Sequence, residues 1–226
     1  MHMTVRHDPS FSAVRVALDP NEVVKVESGA MMAHSSSVHS EAKAEGGMMK
    51  SLKRAALGGE SLFITTYTAD ATGGWVDVAP YLPGDVKVIG VDERGVALTR
   101  GSWLASAASV SLDTKWGGFK NLAGGEGGFL VNASGSGHLA LSCYGAADTL
   151  QVGPGEQVVV DSGHVVAFDP ALGMELTKAS SGIVTSLKSG EGFVFRFTGP
   201  GWVMTQTRNP SALIDWLTKE LPFSRQ

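Results

Sequence analysis

Apolar and polar residues alternate along short runs separated by glycine and proline, and that alternation predicts strands. In residues 13–18, Val14, Val16 and Leu18 point one way and Arg15 and Ala17 the other, the period-2 pattern of a strand with one buried face. The same reading predicts strands at 4–8, 61–69, 74–79, 85–91, 95–99, 128–134, 138–144, 156–161, 175–180, 191–198 and 201–207. Turns fall at Gly73-Gly74, Pro83-Gly84, Gly124-Gly125, Gly153-Pro154-Gly155 and Gly199-Pro200-Gly201, because glycine relieves positive φ and proline presets φ for a turn. Ser134-Gly135-Ser136-Gly137-His138 reads as a hairpin turn. Two segments instead have a helical period. Met48, Met49, Leu52 and Ala56 share one face of a short helix over 47–57, with Lys50, Lys53 and Arg54 mostly elsewhere. The other runs over 210–221. Asn209 caps it, Pro210 takes the first helical position, and Leu213, Ile214, Leu217 and Leu221 form a stripe expected to pack on the β-core or on a neighbouring subunit.

The strand pattern recurs. Gly59-Glu60 leading to Phe63, Gly125-Glu126 leading to Phe129, and Gly190-Glu191 leading to Phe193 place their glutamates 66 and 65 residues apart. Each stretch opens with a proline turn (Pro20-Asn21-Glu22, Pro83-Gly84-Asp85, Pro154-Gly155-Glu156), and a valine run follows. A small-residue turn then leads into an apolar run, at Ser28–Ala33, Gly101–Ala105 and Ser162–Ala167. Each stretch closes on glycine and a ring, at Gly74-Trp75, Gly137-His138 and Gly201-Trp202. A period of about 65 exceeds the roughly 20–50 residues of solenoid repeats. It predicts three tandem small β-units, at 1–77, 78–148 and 149–226, followed by the C-terminal helix. The fold class is all-β.

Composition narrows the function classes. The formal net charge of −4 disfavours nucleic acid, whose binders are basic. The single cysteine, Cys143, allows no internal disulfide and points to a reducing cytoplasm; it sits in an apolar run that reads as core. The sequence has no apolar run long enough to span a membrane and no apolar signal region at its start.

Sequence motifs supply no reaction. There is no GxxxxGK[ST] phosphate loop and no GxSxG elbow. His34 and His39, five apart, fall on opposite faces of a strand, and no His-x-His pair exists. No catalytic, cofactor-binding or metal-binding residue is therefore assigned, and no cofactor is expected. Glu60, Glu126 and Glu191 invite a symmetric carboxylate site, against which stands a structural role as acceptors in glycine-rich turns. The patch Met48, Met49, Lys50, Leu52, Lys53 and Arg54 is the best local interaction surface, for an anionic membrane or an acidic partner; the alternative is a helix packed in the oligomer.

Ser28-Gly29-Ala30-Met31, Gly58-Gly59-Glu60-Ser61-Leu62-Phe63, Gly127-Gly128-Phe129 and Gln206-Thr207-Arg208 resemble bacterial relatives of the fungal altered-inheritance-of-mitochondria family, over essentially the whole chain. The resemblance implies a shortened double-stranded β-helix like that of the tryptophan RNA-binding attenuation protein, three times per chain, with three chains making a ring of nine units. It brings no catalytic residues, and fold-level likeness does not carry the attenuation protein's ligands.

The expected function is a non-enzymatic oligomeric scaffold, a homotrimer, cytoplasmic and peripheral to a membrane or membrane protein. One alternative is a small-molecule binder with sites between repeats walled by Trp75, Trp103 and Trp202. Another is an enzyme with a site assembled from distant residues. The membrane reading expects co-sedimentation with anionic liposomes that a Lys50/Lys53/Arg54 triple-alanine variant abolishes; equal non-binding by both proteins ends it.

Overall fold

The computed structural model describes residues 1–44, 63–113, 130–178 and 193–221. Valine, threonine and aromatic runs become strands wherever one face can be buried. The first stretch holds β1 (His2–Arg6), β2 (Ala13–Leu18), β3 (Val23–Glu27), β4 (Met31–His34), β5 (Val38–Ala44), β6 (Phe63–Ala69) and β7 (Gly74–Val78). The second holds β8 (Val86–Val91), β9 (Val96–Leu98), β10 (Trp103–Ala107), β11 (Val110–Asp113), β12 (Val131–Gly135) and β13 (Gly137–Ser142). The third holds β14 (Ala147–Val152), β15 (Gln157–Asp161), β16 (Val165–Phe168), β17 (Gly173–Lys178), β18 (Phe193–Thr198) and β19 (Gly201–Gln206), then helix α1 (Pro210–Glu220). Among the described residues the fold is all-β with one α-helix, at the C-terminal end. The breaks expected at 77/78 and 148/149 fall inside β7 and β14; the connections between strand sets lie at 79–85 and 143–146.

All named pairings are antiparallel and follow one scheme. β7 lies between β2 and β4, β13 between β8 and β10, and β19 between β14 and β16. Likewise β6 lies between β3 and β5, β12 between β9 and β11, and β18 between β15 and β17. Two pairings join these sets into longer sheets: β3 with β10, and β9 with β16. β1 adds an outer strand to β2.

Glycine corners, not hairpins, link the sheets. Ser134–His138 was expected to turn a hairpin, but β12 and β13 belong to different sheets. The chain swings from one to the other through Gly135 and Gly137, at φ 116° and 143°, values that favour glycine. Gly73-Gly74 and Gly199–Gly201 stand at the same kind of corner, between β6 and β7 and between β18 and β19. The predicted strand ranges also leave out β3, β4, β5, β10, β11, β14 and β16. In β4, β10 and β16 the apolar residues run without alternation, so no period-2 signal marks them.

Three apolar clusters form the core. The first gathers Val14, Val24, Val26, Tyr67 and Val76 with Leu104 from β10. The second gathers Leu98, Trp103, Leu139 and Leu141 with Val166 and Met204. The third is aromatic: Phe168 and Phe197 sit 5.0 Å apart between ring centroids, Phe195 and Phe197 5.6 Å. Leu104 and Val166 hold matching positions. Each falls at a register irregularity where its strand meets β13 or β19, and each buries its side chain in the cluster of the preceding strand set. Truncating such a plug leaves a cavity. Leu104→Ala is expected to lower unfolding free energy by about 2–5 kcal/mol, measured by denaturant titration, with the oligomeric mass unchanged.

Candidate functional site

A cleft of about 700 Å³ opens across one end of the strands. Its floor is formed where β3, β9 and β15 end: Glu27 at the end of β3, Thr99–Ser102 in the turn after β9, and Ser162 and Gly163 in the turn after β15. Leu130, Val165, Leu176, Phe193 and Phe195 supply an apolar wall, and Tyr81 and Ile214 contribute from segments far apart in the sequence.

Side chains lock these turns. The Thr99 hydroxyl donates to the Val165 carbonyl at 2.7 Å and meets Ser102 Oγ at 2.9 Å. The Ser142 hydroxyl donates to the Gly101 carbonyl at 2.9 Å. Gln206 clamps two segments: its Oε1 accepts from the Tyr144 amide at 2.8 Å and its Nε2 donates to the Gly163 carbonyl at 3.0 Å. Asn209 caps α1 as expected, its Oδ1 accepting from the Ser211 and Ala212 amides at 2.9 and 3.4 Å. Tyr81 stands 68% exposed, yet it is held: its hydroxyl donates to the Ser28 carbonyl at 2.6 Å, above Gly29 at φ 91°. A side chain at Gly29 would collide with the Tyr81 hydroxyl.

Glu27 and Arg100 are the ionic side chains among the described lining residues. Arg100 is engaged. Among the described residues the half-buried Glu27 carboxyl has no hydrogen-bond or ion-pair partner, and burial pushes it up to about 7. Asp77 shows the opposite case. Arg15 holds it bidentately at 2.8 Å and Arg6 adds an ion pair at 2.8 Å, so its carboxyl lies below the usual carboxylate range. Cys143 also lines the cleft, but burial and the nearby Asp85 push its thiol up to about 12, where little nucleophilic thiolate forms. The arrangement offers an anchor for a ligand rather than an activated nucleophile.

Glu60, Glu126, Glu191, Met48, Met49, Lys50, Leu52, Lys53 and Arg54 lie outside the described residues. None of the three tryptophans expected as stacking walls lines the cleft. Trp103 is core at 2% exposure, Trp202 packs on the second cluster, and Trp75 lies under the Arg15 guanidinium, 4.1 Å from its ring centroid. The α1 stripe does not pack on this chain's core: no residue of the helix is buried, and Ile214 and Trp216 are 56% and 57% exposed. Among the described residues no helix is long and apolar enough to cross a membrane. The sequence carried no mark of Glu27 as a site, since it simply ends a Val-Lys-Val-Glu strand.

The Glu27 carboxyl ionises at about 7 in the folded chain and at about 4.3 when exposed. The unfolded state therefore sheds its proton first, and this group lowers stability as pH rises between those values. Glu27→Gln removes that loss. The variant is expected to melt higher than the parent above about pH 7 and to show no such gain below about pH 4, in thermal scans at both ends of the range.

The profile of the family described as Mitochondrial biogenesis AIM24 matches residues 3–208. An uncharacterised protein of Streptococcus pyogenes serotype M6 is 28% identical over 233 residues, covering 99% of this chain and 92% of that protein. The fold is similar to an X-ray crystal structure of a Streptococcus pyogenes protein, at TM-score 0.82 and 25% identity, covering 97% of this chain and 99% of that one. With the match running from the first strand through the last, the chain belongs to the Mitochondrial biogenesis AIM24 family.

Proposed function

We propose that the chain is a non-enzymatic assembly scaffold built of three copies of one six-stranded unit, and that three chains close into a ring of nine units. The observation that carries this reading is the contrast between matching strands. β10 and β16 are buried along their whole length, each covered by a strand of the preceding set, β3 or β9. β4 holds the matching place in the first set, has no such cover, and is exposed at all four residues. At the other end of the chain β15 matches β3 and β9 but lies at a sheet edge, with Val159 55% exposed.

The two open edges fit each other. β4 meets β7 with the same irregularity that β10 and β16 show, which places Met32 where Leu104 and Val166 stand. Those two are fully buried in the preceding cluster, whereas Met32 is 60% exposed. Pairing β15 with β4 of a second copy would seat Met32 against the aromatic third cluster and put Ala33 opposite Val160, as Ala105 lies opposite Val26 and Ala167 opposite Leu98. It would also satisfy two rows of backbone groups that otherwise invite uncontrolled association. A heterologous contact of this kind closes a ring when the rotation per unit divides the circle.

Light scattering is expected to give about three times 23.6 kDa. Met32→Glu leaves the single chain intact, because the residue is exposed there, but buries a charge at the junction. It is expected to give a folded monomer. A monodisperse monomer of the parent chain, or an unchanged mass for Met32→Glu, overturns the ring.

A further inference from the structure

We propose that the cleft is a binding site for a small organic amine, with the protonated nitrogen at the Glu27 carboxylate and the carbon body in the apolar lining. The described lining residues all belong to one chain, so the site does not depend on ring closure.

The size is right for a small molecule: about 700 Å³ lies within the roughly 300–1,000 Å³ of ligand pockets, which combine apolar walls with a few fixed polar groups. Leu130, Leu176, Phe193 and Phe195 form such a wall. The polar groups that shape the turns, at Thr99, Ser142 and Gln206, already have protein partners. Among the described residues Glu27 has none, so it is the charged group left for an occupant.

The chemistry of the occupant follows. A half-buried carboxylate without donors is unfavourable, and a charged N–H donor relieves it more than a neutral one. An anion would face Glu27 with the same sign. A quaternary ammonium would bring charge without N–H donors, so a primary or secondary amine fits best. Tyr81 strengthens the selection. Its ring is fixed beside Ser28, the residue that follows Glu27, and is exposed for contact. A cation within about 6 Å of such a ring gains further attraction. Carboxylate and aromatic ring thus come from two segments brought together by the bond from Tyr81 to Ser28, which the lack of a side chain at Gly29 makes room for.

The pH dependence has a definite sign. Among the described residues, the other ionisable groups on the elements neighbouring Glu27 are Lys25 on its own strand, Tyr67 opposite Val24 on β6, and Tyr81, Arg100, Cys143 and Tyr144 along the cleft; β10 brings none. Burial pushes the Cys143 thiol up to about 12 and raises the Tyr67 phenol as well. The Glu27 carboxyl ionises near 7, so amine binding tightens as pH rises through that value.

Calorimetric titration of the full chain with 2-phenylethylamine, against the neutral isostere 2-phenylethanol, tests the site. The amine is expected to bind about tenfold more tightly at about pH 8 than at about pH 6, following the ionised fraction of a carboxyl near 7. The alcohol is expected to bind weakly and without pH dependence. Glu27→Gln should flatten the amine's pH profile and bring its affinity down to that of the alcohol. Tyr81→Ala should weaken the amine more than the alcohol. Met32→Glu should bind the amine like the parent, which separates this site from the ring. Absence of saturable amine binding, equal affinity for amine and alcohol, or an unchanged profile in Glu27→Gln each overturns the proposal. Should Glu27→Gln fail to fold, the amine–alcohol comparison on the parent chain at the two pH values still decides.

Discussion

The constraint on which this molecule depends is that strand edges must find partners. A strand edge carries unpaired N–H and C=O groups, and a structure made of short strands in several sheets has many such edges. Here the sets are joined by pairing β3 with β10 and β9 with β16. Each junction also drives one side chain, Leu104 or Val166, into the neighbouring core. Backbone pairing and apolar burial therefore act at the same place, and the sets do not behave as beads on a string. The exposed β4 and β15 edges are the same surfaces left without a neighbour.

Joining sheets this way requires corners, and the corners make the cleft. Glycine corners swing the chain between sheets, which leaves the C-terminal ends of β3, β9 and β15 side by side at the cleft. Side-chain clamps then replace regular pairing: Gln206 ties Tyr144 to Gly163, and Tyr81 closes over Gly29. The result is a concave surface assembled from residues between Glu27 and Ile214.

Two acids show how environment sets the role of a carboxylate. Asp77 and Glu27 both sit on strands near the core. Asp77 meets two guanidinium groups, which hold its carboxyl below the usual carboxylate range, and it serves as a structural clamp between β1, β2 and β7. Among the described residues Glu27 meets none, and burial holds its proton to near neutrality. The difference lies in what faces each group, not in residue type.

Much of the fold was legible in the chain. Alternation at Val14, Val16 and Leu18, the valine runs and the Gly-Pro turns marked most strands, and Asn209-Pro210 marked the start of α1, because these signals act over a few residues. Of the strands that join the sets, β10 and β16 were not marked. Apolar faces on both sides of β10 and β16 erase the period-2 signal, and only pairing with distant strands shows why they are apolar. The sequence likewise could not distinguish a hairpin at Gly135–Gly137 from a corner between sheets, since both need glycine. The site was less legible still. Glu27 and Tyr81 stand 54 positions apart, in segments with no chemical motif, and a partnerless carboxylate is a property of surroundings. The chain by itself determined strands, turns, helix cap and family. Tertiary structure decided which edges are covered, which carboxylate is left unpaired, and where a cleft opens, because each depends on contacts between residues far apart in the chain.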